Sequence, residues 1–522
     1  MKKIVIFLSI FYFSINFESN AQNGEDAIVV VEPISPIGTA AYIGSAGSNV
    51  GDTYDPSYIN NGNPAVIGLA KKSGFSFSPA VFMQGSSSFY PGKIDNETQV
   101  EIVSSDNSSN FGFSNLSGVF SLYEEGGIAG LDGWEALNVG FSLNRQNNFH
   151  FRSKNSVSNE DNSLIDVFMR DAHNSNGVGI DVSMLDPTSS AALAFEALLI
   201  QPDPGGKIND ETVWYSIVPN AGVFQHHSSE TTGKLWESAL SVGSSYNDKF
   251  YLGLAFAMQR GFYSREISHK EVDQNNEILF FKSFLYTQSV LTTIQGYNVK
   301  VGFMAKPIYW LRVGGSFKAP SVLTMTESDA STITPEYDDN RDLGTIQSRL
   351  RETLYQTSTP MNFAADVTVL IWETAAIGLT YKWINYQNVR LRSTSSFFDE
   401  NDDIQSTYKN TSNIGIGGRA DVGKIFTVRA GYKLSGSPAH ENPTSAKSSK
   451  LDAAFNKSSL SAGFGFHGFL GGDDDGTEIF LDFAFVSTKF KSLSSSYDLE
   501  GAYVNENHSV FNTGVVTFGV NF

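Results

Sequence analysis

The chain has 522 residues, no cysteine, and a formal net charge of −19. That balance lacks the cationic surface a nucleic-acid partner requires, and the missing thiols exclude disulfides and thiolate metal sites. Glycine (47), phenylalanine (40) and tyrosine (21) are abundant, yet the mean hydropathy is slightly negative. This suits a transmembrane β-barrel, in which only alternate strand residues face lipid.

The chain opens on Met1-Lys2-Lys3, followed by an almost continuous apolar run over Ile4–Phe13 and a small-residue exit at Ala21. This reads as a secretory signal over residues 1–21; the run is shorter than the roughly 20 residues a spanning helix needs. Residues 22–73 are rich in Gly, Asn, Ser and Ala and lack periodicity. They read as a plug folded into a lumen, the other reading being a disordered tail.

From residue 74 onward, period-2 alternation recurs in fourteen segments. These are 74–84, 111–122, 134–152, 233–247, 249–267, 289–305, 308–321, 361–371, 374–392, 404–422, 424–436, 456–468, 476–490 and 509–522. In 249–267, Phe250, Leu252, Leu254, Phe256 and Met258 alternate with Tyr251, Gly253, Ala255, Ala257 and Gln259. At the end of the chain, Gly514, Val516, Phe518, Val520 and Phe522 share one face. A soluble sandwich also alternates, so the connections decide. Tight turns such as Tyr246-Asn247-Asp248-Lys249 and Asp421-Val422-Gly423-Lys424 alternate with long connections over 85–110, 153–232, 268–288 and 322–360. The predicted fold is therefore all-β: a 14-stranded antiparallel transmembrane barrel over 74–522, an N-terminal plug, and short helices in external loops. Short turns would face the periplasm and long loops the outside.

Within the plug, Asn63-Pro64-Ala65 stands just before the first strand, with Gly38-Thr39-Ala40-Ala41-Tyr42 and Gly44-Ser45-Ala46-Gly47 upstream. This resembles the hatch of the FadL/TodX family of outer-membrane hydrophobic-compound transporters, in its long Bacteroidetes form. Val66 replaces the glycine usual after the motif, and Asp52 or Asp55 would supply the usual preceding aspartate. The resemblance implies an outer-membrane location and passive uptake of hydrophobic molecules, either long-chain fatty acids or aromatic hydrocarbons. It also implies capture among external loops, a lumen pocket, a hatch shift and release through a lateral gap. Two other readings stand beside it: a type IX secretion barrel that binds secreted protein cargo, and a general diffusion porin.

For ligand capture, the sequence offers Ile278, Phe280, Phe281, Phe284 and Leu285 in the 268–288 loop. Ile278, Phe281, Phe284 and Leu285 follow helical spacing, and an external segment this apolar needs a cover. Neighbouring loops packing over it, or an aromatic girdle, would serve as well as a ligand. Ala191–Ile200 is a second apolar segment of helical type, with Tyr215, Val218 and Phe224 in the same loop. His226-His227 is the only adjacent histidine pair, but neighbours on extended backbone point apart, which disfavours a two-ligand haem site. Asp473-Asp474-Asp475 lacks calcium-loop spacing and reads as a solvated turn. No nucleophile elbow or catalytic constellation is present. The expected protein is a monomer without enzymatic activity, cofactor or metal; its partners are a hydrophobic small molecule or lipid and outer-membrane lipid.

Overall fold

The computed structural model describes residues 34–48, 55–91, 101–123, 127–128, 132–174, 177–203, 212–218, 222–372, 374–392, 398–423, 425–438, 456–470, 476–497, 499 and 504–522. The expected export signal, residues 22–33 and 49–54 with Asp52, and the Asp473–Asp475 run lie outside them.

The strands run in chain order as β1 (Gly74–Pro91), β2 (Glu101–Tyr123), β3 (Trp134–Asn148), β4 (Phe151–Asn159), β5 (Val223–Tyr246) and β6 (Phe250–Val272). Then come β7 (Phe281–Ile308), β8 (Leu311–Lys318), β9 (Val322–Tyr337), β10 (Arg351–Ser358), β11 (Met361–Ile371) and β12 (Ala375–Asn385). The last are β13 (Thr411–Val422), β14 (Phe426–Ser435), β15 (Lys457–Leu470), β16 (Thr477–Ser495) and β17 (Val504–Asn521). All pairings are antiparallel, and β17 returns to β1 over Asn521↔Gly74 to Glu506↔Phe89. Fourteen strands thus close a barrel: all of those above except β4, β9 and β10, which extend the ladder beyond it. Closure removes the edges that lipid could not solvate.

The alternation has a direct physical meaning. Leu252, Leu254, Phe256 and Met258 point outward and are exposed, while Tyr251, Ala255 and Ala257 point inward and are buried. Phe518 and Phe522 lie on the outer face of β17. Together with Val299, Val301, Phe303, Ile377 and Leu379 they form an apolar outer band. Only a hydrocarbon surround accounts for so large an apolar exterior. Among the described residues no helix is long and apolar enough to cross a membrane.

The loop end departs from expectation in three places. The 268–288 segment is not a long helical loop: β6 reaches Val272 and β7 starts at Phe281. A bulge at Lys282, between the pairings Ser283↔Glu336 and Phe281↔Tyr337, turns Phe281 and Phe284 to one buried face and breaks the period-2 signal. The 322–360 connection is largely the β9–β10 hairpin. Pro320 and Pro360 sit at the breaks that separate β8 from β9 and β10 from β11; proline supplies no ladder donor. Residues 404–407, expected in a strand, close a helix (Phe398–Thr407), and β13 begins only at Thr411.

Candidate functional site

The lumen is occupied by the N-terminal segment. Its elements are α1 (Ala40–Gly44), α2 (Ser57–Asn61) and a 3-10 turn over Pro64–Leu69. The Asn63-Pro64-Ala65 motif starts that turn. Asn63 Oδ1 accepts the Ala65 amide (3.0 Å), which caps the turn, and proline takes the first position, where a missing N–H costs nothing. Asn63 Nδ2 donates to the Phe303 carbonyl on β7 (2.9 Å), so one side chain both shapes the turn and ties it to the wall.

The wall is cut to receive it. A Cβ on Gly302 would lie 2.0 Å from Asn63 Oδ1, and one on Gly253 would lie 2.3 Å from the Pro64 carbonyl oxygen. These glycines pair directly across β6 and β7; only glycine permits this backbone approach. Asp55, one of the two aspartates expected near the motif, accepts from the Ser57 amide (2.8 Å) and Thr39 Oγ1 (2.7 Å), which joins the two helices.

Polar anchors complete the seat. Lys300 Nζ donates to the Asn60 carbonyl (2.6 Å) and pairs with Glu237. Lys382 Nζ donates to the Asn61 carbonyl (3.2 Å), and Asn138 Nδ2 to the carbonyls of Ile67 (2.7 Å) and Ala70 (2.8 Å).

The second feature is a breach in the wall. β2 pairs with β3 only from Tyr123↔Ala136 up to Asn115↔Asn144. Above that level Glu101–Phe113 pairs with β1 alone. β3 bulges between Arg145 and Asn147, ends at Asn148, and continues as β4, which keeps its ladder with β5 but not with β2. β4 crosses the inner face of β1 instead. There the Arg152 amide donates to Gln84 Oε1 (3.0 Å), and its carbonyl accepts from Ser86 Oγ (2.5 Å). Side chains thereby satisfy backbone groups that a neighbouring strand would otherwise pair.

The sequence signal for this kink is the run Asn144-Arg145-Gln146-Asn147-Asn148, which is buried at every position and so breaks the alternation of β3. The pattern over 134–152 predicts ordinary strand through this run. Each amide of the run has work: Asn144 Oδ1 accepts from Asn115 (3.2 Å), Gln146 donates to Asn61 Oδ1 (3.0 Å), and Asn148 pairs with Asn110 (3.2 Å). Beside the kink lies a small cavity of about 20 Å³, lined by Phe82, Gln84, Ser108, Asn110, Asn147, Asn148 and His150, with Ile34 and Ile37 of the luminal segment. That is room for about one water molecule.

At the loop end, the five residues singled out for capture divide. Ile278, Phe281 and Phe284 are buried in a cluster with Phe168 of α3 (Leu164–Asp171), Leu193 of α4 (Ser190–Glu196), Trp214 and Val218. Phe280 and Leu285 stay exposed. The helix expected in Ala191–Ile200 is α4, and Tyr215 is exposed. A buried polar knot fixes this cap: Glu271 accepts from Ser163 Oγ, the Leu164 amide (2.8 Å) and Gln225 Nε2 (2.8 Å), and its Oε1 contacts His269 Nε2 (3.0 Å).

His226 and His227 point apart. His226 Nδ1 meets Ser156 Oγ (2.8 Å), while the Nδ1 atoms of His227 and His269 lie 3.4 Å apart. Burial, with His269 and Arg265 adding to it, pushes His227 down to about 3. Among the described residues no acidic or histidine cluster suits a metal.

No family model matches the sequence, and no curated protein matches it. Solved structures do resemble it in fold. A Pseudomonas aeruginosa FadL homologue superposes with a TM-score of 0.51 at 13% identity, covering 94% of this chain and 99% of its own. The Ralstonia pickettii toluene transporter TbuX gives 0.45 at 13% identity over 95% and 100% of the two chains. The P. putida toluene transporter TodX gives 0.47 at 13% over 94% and 99%. The first of these shows a shared fold.

Proposed function

We propose that this chain is an outer-membrane passive transporter of the FadL/TodX type, carrying hydrophobic molecules such as long-chain fatty acids or aromatic hydrocarbons. The observation that carries the reading is the breach between β2 and the kinked β3–β4 strand, beside a lumen filled by residues 34–48 and 55–73. A solute that reaches this level meets packed protein below, and its way out is sideways into the lipid where the Phe113–Trp236 contact parts. In this reading the N-terminal signal directs export, and the luminal segment is the hatch whose Asn63-Pro64-Ala65 turn closes the axial route. The filled lumen favours lateral release over a general diffusion porin. Phe280, Leu285 and Tyr215 offer exposed apolar contacts for capture at the loop end, and the protein acts as a monomer without cofactor or enzymatic step.

The test is uptake of radiolabelled toluene and dodecanoate into proteoliposomes. Deleting Gln146, which the register leaves without a partner between Arg145↔Trp236 and Asn147↔Leu235, removes the bulge and lets the strand rejoin the wall. Uptake should fall to the level of empty vesicles while the barrel keeps its heat-modifiable migration. Undiminished uptake by the folded deletion variant would overturn the lateral route.

A further inference from the structure

The breach holds a charge with no counterpart. Arg145 sits on β3 at the bulge, its side chain 4% exposed. Its Nε and Nη1 are buried without a hydrogen-bond partner, and no carboxylate pairs with it among the described residues. Its contacts are aromatic: the guanidinium carbon lies 4.6 Å from the ring centre of Phe82, which faces the lumen, and 5.5 Å from that of Trp236 on β5. Nη1 also abuts Gly112, where a Cβ would stand 3.1 Å away.

Trp236 meets Phe113 of β2 ring to ring at 4.3 Å. β2 and β5 are not neighbours in the ladder; β3 separates them lower down. The two rings therefore close across the space that β3 vacates when it turns inward. The breach is thus built in layers, with Phe82 on the lumen side, the Arg145 guanidinium in the middle, and the Phe113–Trp236 pair toward the lipid.

An unpaired cation at membrane depth is costly and marks a functional site. A caged guanidinium with free N–H groups is a planar fork for an oxyanion, and aromatic rings on both sides suit an alkyl chain. We propose that Arg145 is the oxyanion-binding group of the wall opening. It takes the anionic end of an amphiphile whose tail lies along the lipid side of the Phe113–Trp236 pair. This inference rests on the transporter reading for its route, and it narrows the preferred solutes to those with an anionic head. The oxyanion can come from the carboxylate of a transported solute or from the phosphate of a membrane lipid.

The test uses the full-length protein in phosphatidylcholine nanodiscs. Dissociation constants for dodecanoate and for uncharged dodecanol are measured by equilibrium dialysis, and retention of added phosphatidylglycerol by native mass spectrometry. The wild type should prefer dodecanoate to dodecanol by about tenfold to a hundredfold, the range of a charge-assisted hydrogen bond. Arg145→Gln should bring that ratio near one with dodecanol binding unchanged. Arg145→Lys, which keeps the cation, should retain a ratio above one.

If the lipid is the source, the wild type shows no such ratio but retains phosphatidylglycerol, and Arg145→Gln loses it. A wild type with neither carboxylate preference nor phosphatidylglycerol retention overturns the proposal, as does an Arg145→Gln protein that keeps whichever one the wild type has. If dodecanoate and dodecanol both fail to bind, the transporter reading fails, while the phosphatidylglycerol arm still tests Arg145.

Discussion

The sharpest stability prediction concerns Glu237. Its carboxylate is fully buried beneath the luminal segment. It accepts from Asn60 Nδ2 (3.1 Å), Asn298 Nδ2 (3.0 Å), Gln259 Nε2 (3.1 Å) and Gln146 Nε2 (3.4 Å), and it pairs with Lys300, which is 2% exposed. Glu237→Ala leaves the Lys300 cation uncompensated and strips four amides of an acceptor. Breaking one side of a buried pair costs about 3–5 kcal/mol. Lys300→Met alone strands the carboxylate at a similar cost. The double variant strands no charge at this site and should return the part of the loss that the uncompensated ion causes, while the four amides stay without their acceptor. The assay is urea unfolding in phosphatidylcholine vesicles followed by tryptophan emission, arranged as a double-mutant cycle. Single-variant costs that add within about 0.5 kcal/mol in the double would refute the coupling. A neutral Glu237→Ala would refute the premise that this pair anchors the segment.

Three further outcomes are expected. Gly253→Leu places side-chain atoms where the Pro64 carbonyl and Ala65 amide now lie, so the Pro64–Leu69 turn must move; planar-bilayer recordings should show ion conductance above wild type, and unchanged conductance would mean that this turn does not seal the lumen. Phe284→Ala should loosen the loop-end cluster by about 3–5 kcal/mol and speed proteolysis between 160 and 220, whereas Leu285→Ala should stay within about 0.5 kcal/mol and reduce hydrophobic uptake if that surface captures solute. His227 is held neutral well below its ordinary range, so the unfolded cap binds a proton more readily than the folded one; cap stability is full above about pH 6.5, falls as the pH drops toward 3, and His227→Gln should flatten that dependence in limited proteolysis.

How much was legible in the sequence varied with the physics behind each signal. Where one strand face meets lipid and the other the lumen, as in β6 and β17, period-2 alternation is a direct record of the two environments. Strand number, closure and the short turns at Asn247-Asp248 and Gly423 could therefore be read directly. The Asn63-Pro64-Ala65 turn was likewise visible, since capping and proline chemistry are local.

The signal failed where the strand is irregular. Phe281 and Phe284 show helical spacing because a bulge at Lys282 turns both to the same buried face at the start of β7. The breach could not be read as such, because the amides of Asn144–Asn148 acquire their meaning only from partners such as Asn115, Asn61 and Asn110 on other strands or in the lumen.

By itself, then, the sequence determined the barrel, its outward apolar band and the turn that enters the lumen, all set by residues a few positions apart. The tertiary structure alone decided that Gly253 and Gly302 form a seat, that β2 and β3 part above Asn115 and Asn144, and that Arg145 lies between Phe82 and Trp236. Each of these depends on which distant strands the closed ladder brings side by side, and no local pattern encodes that registry.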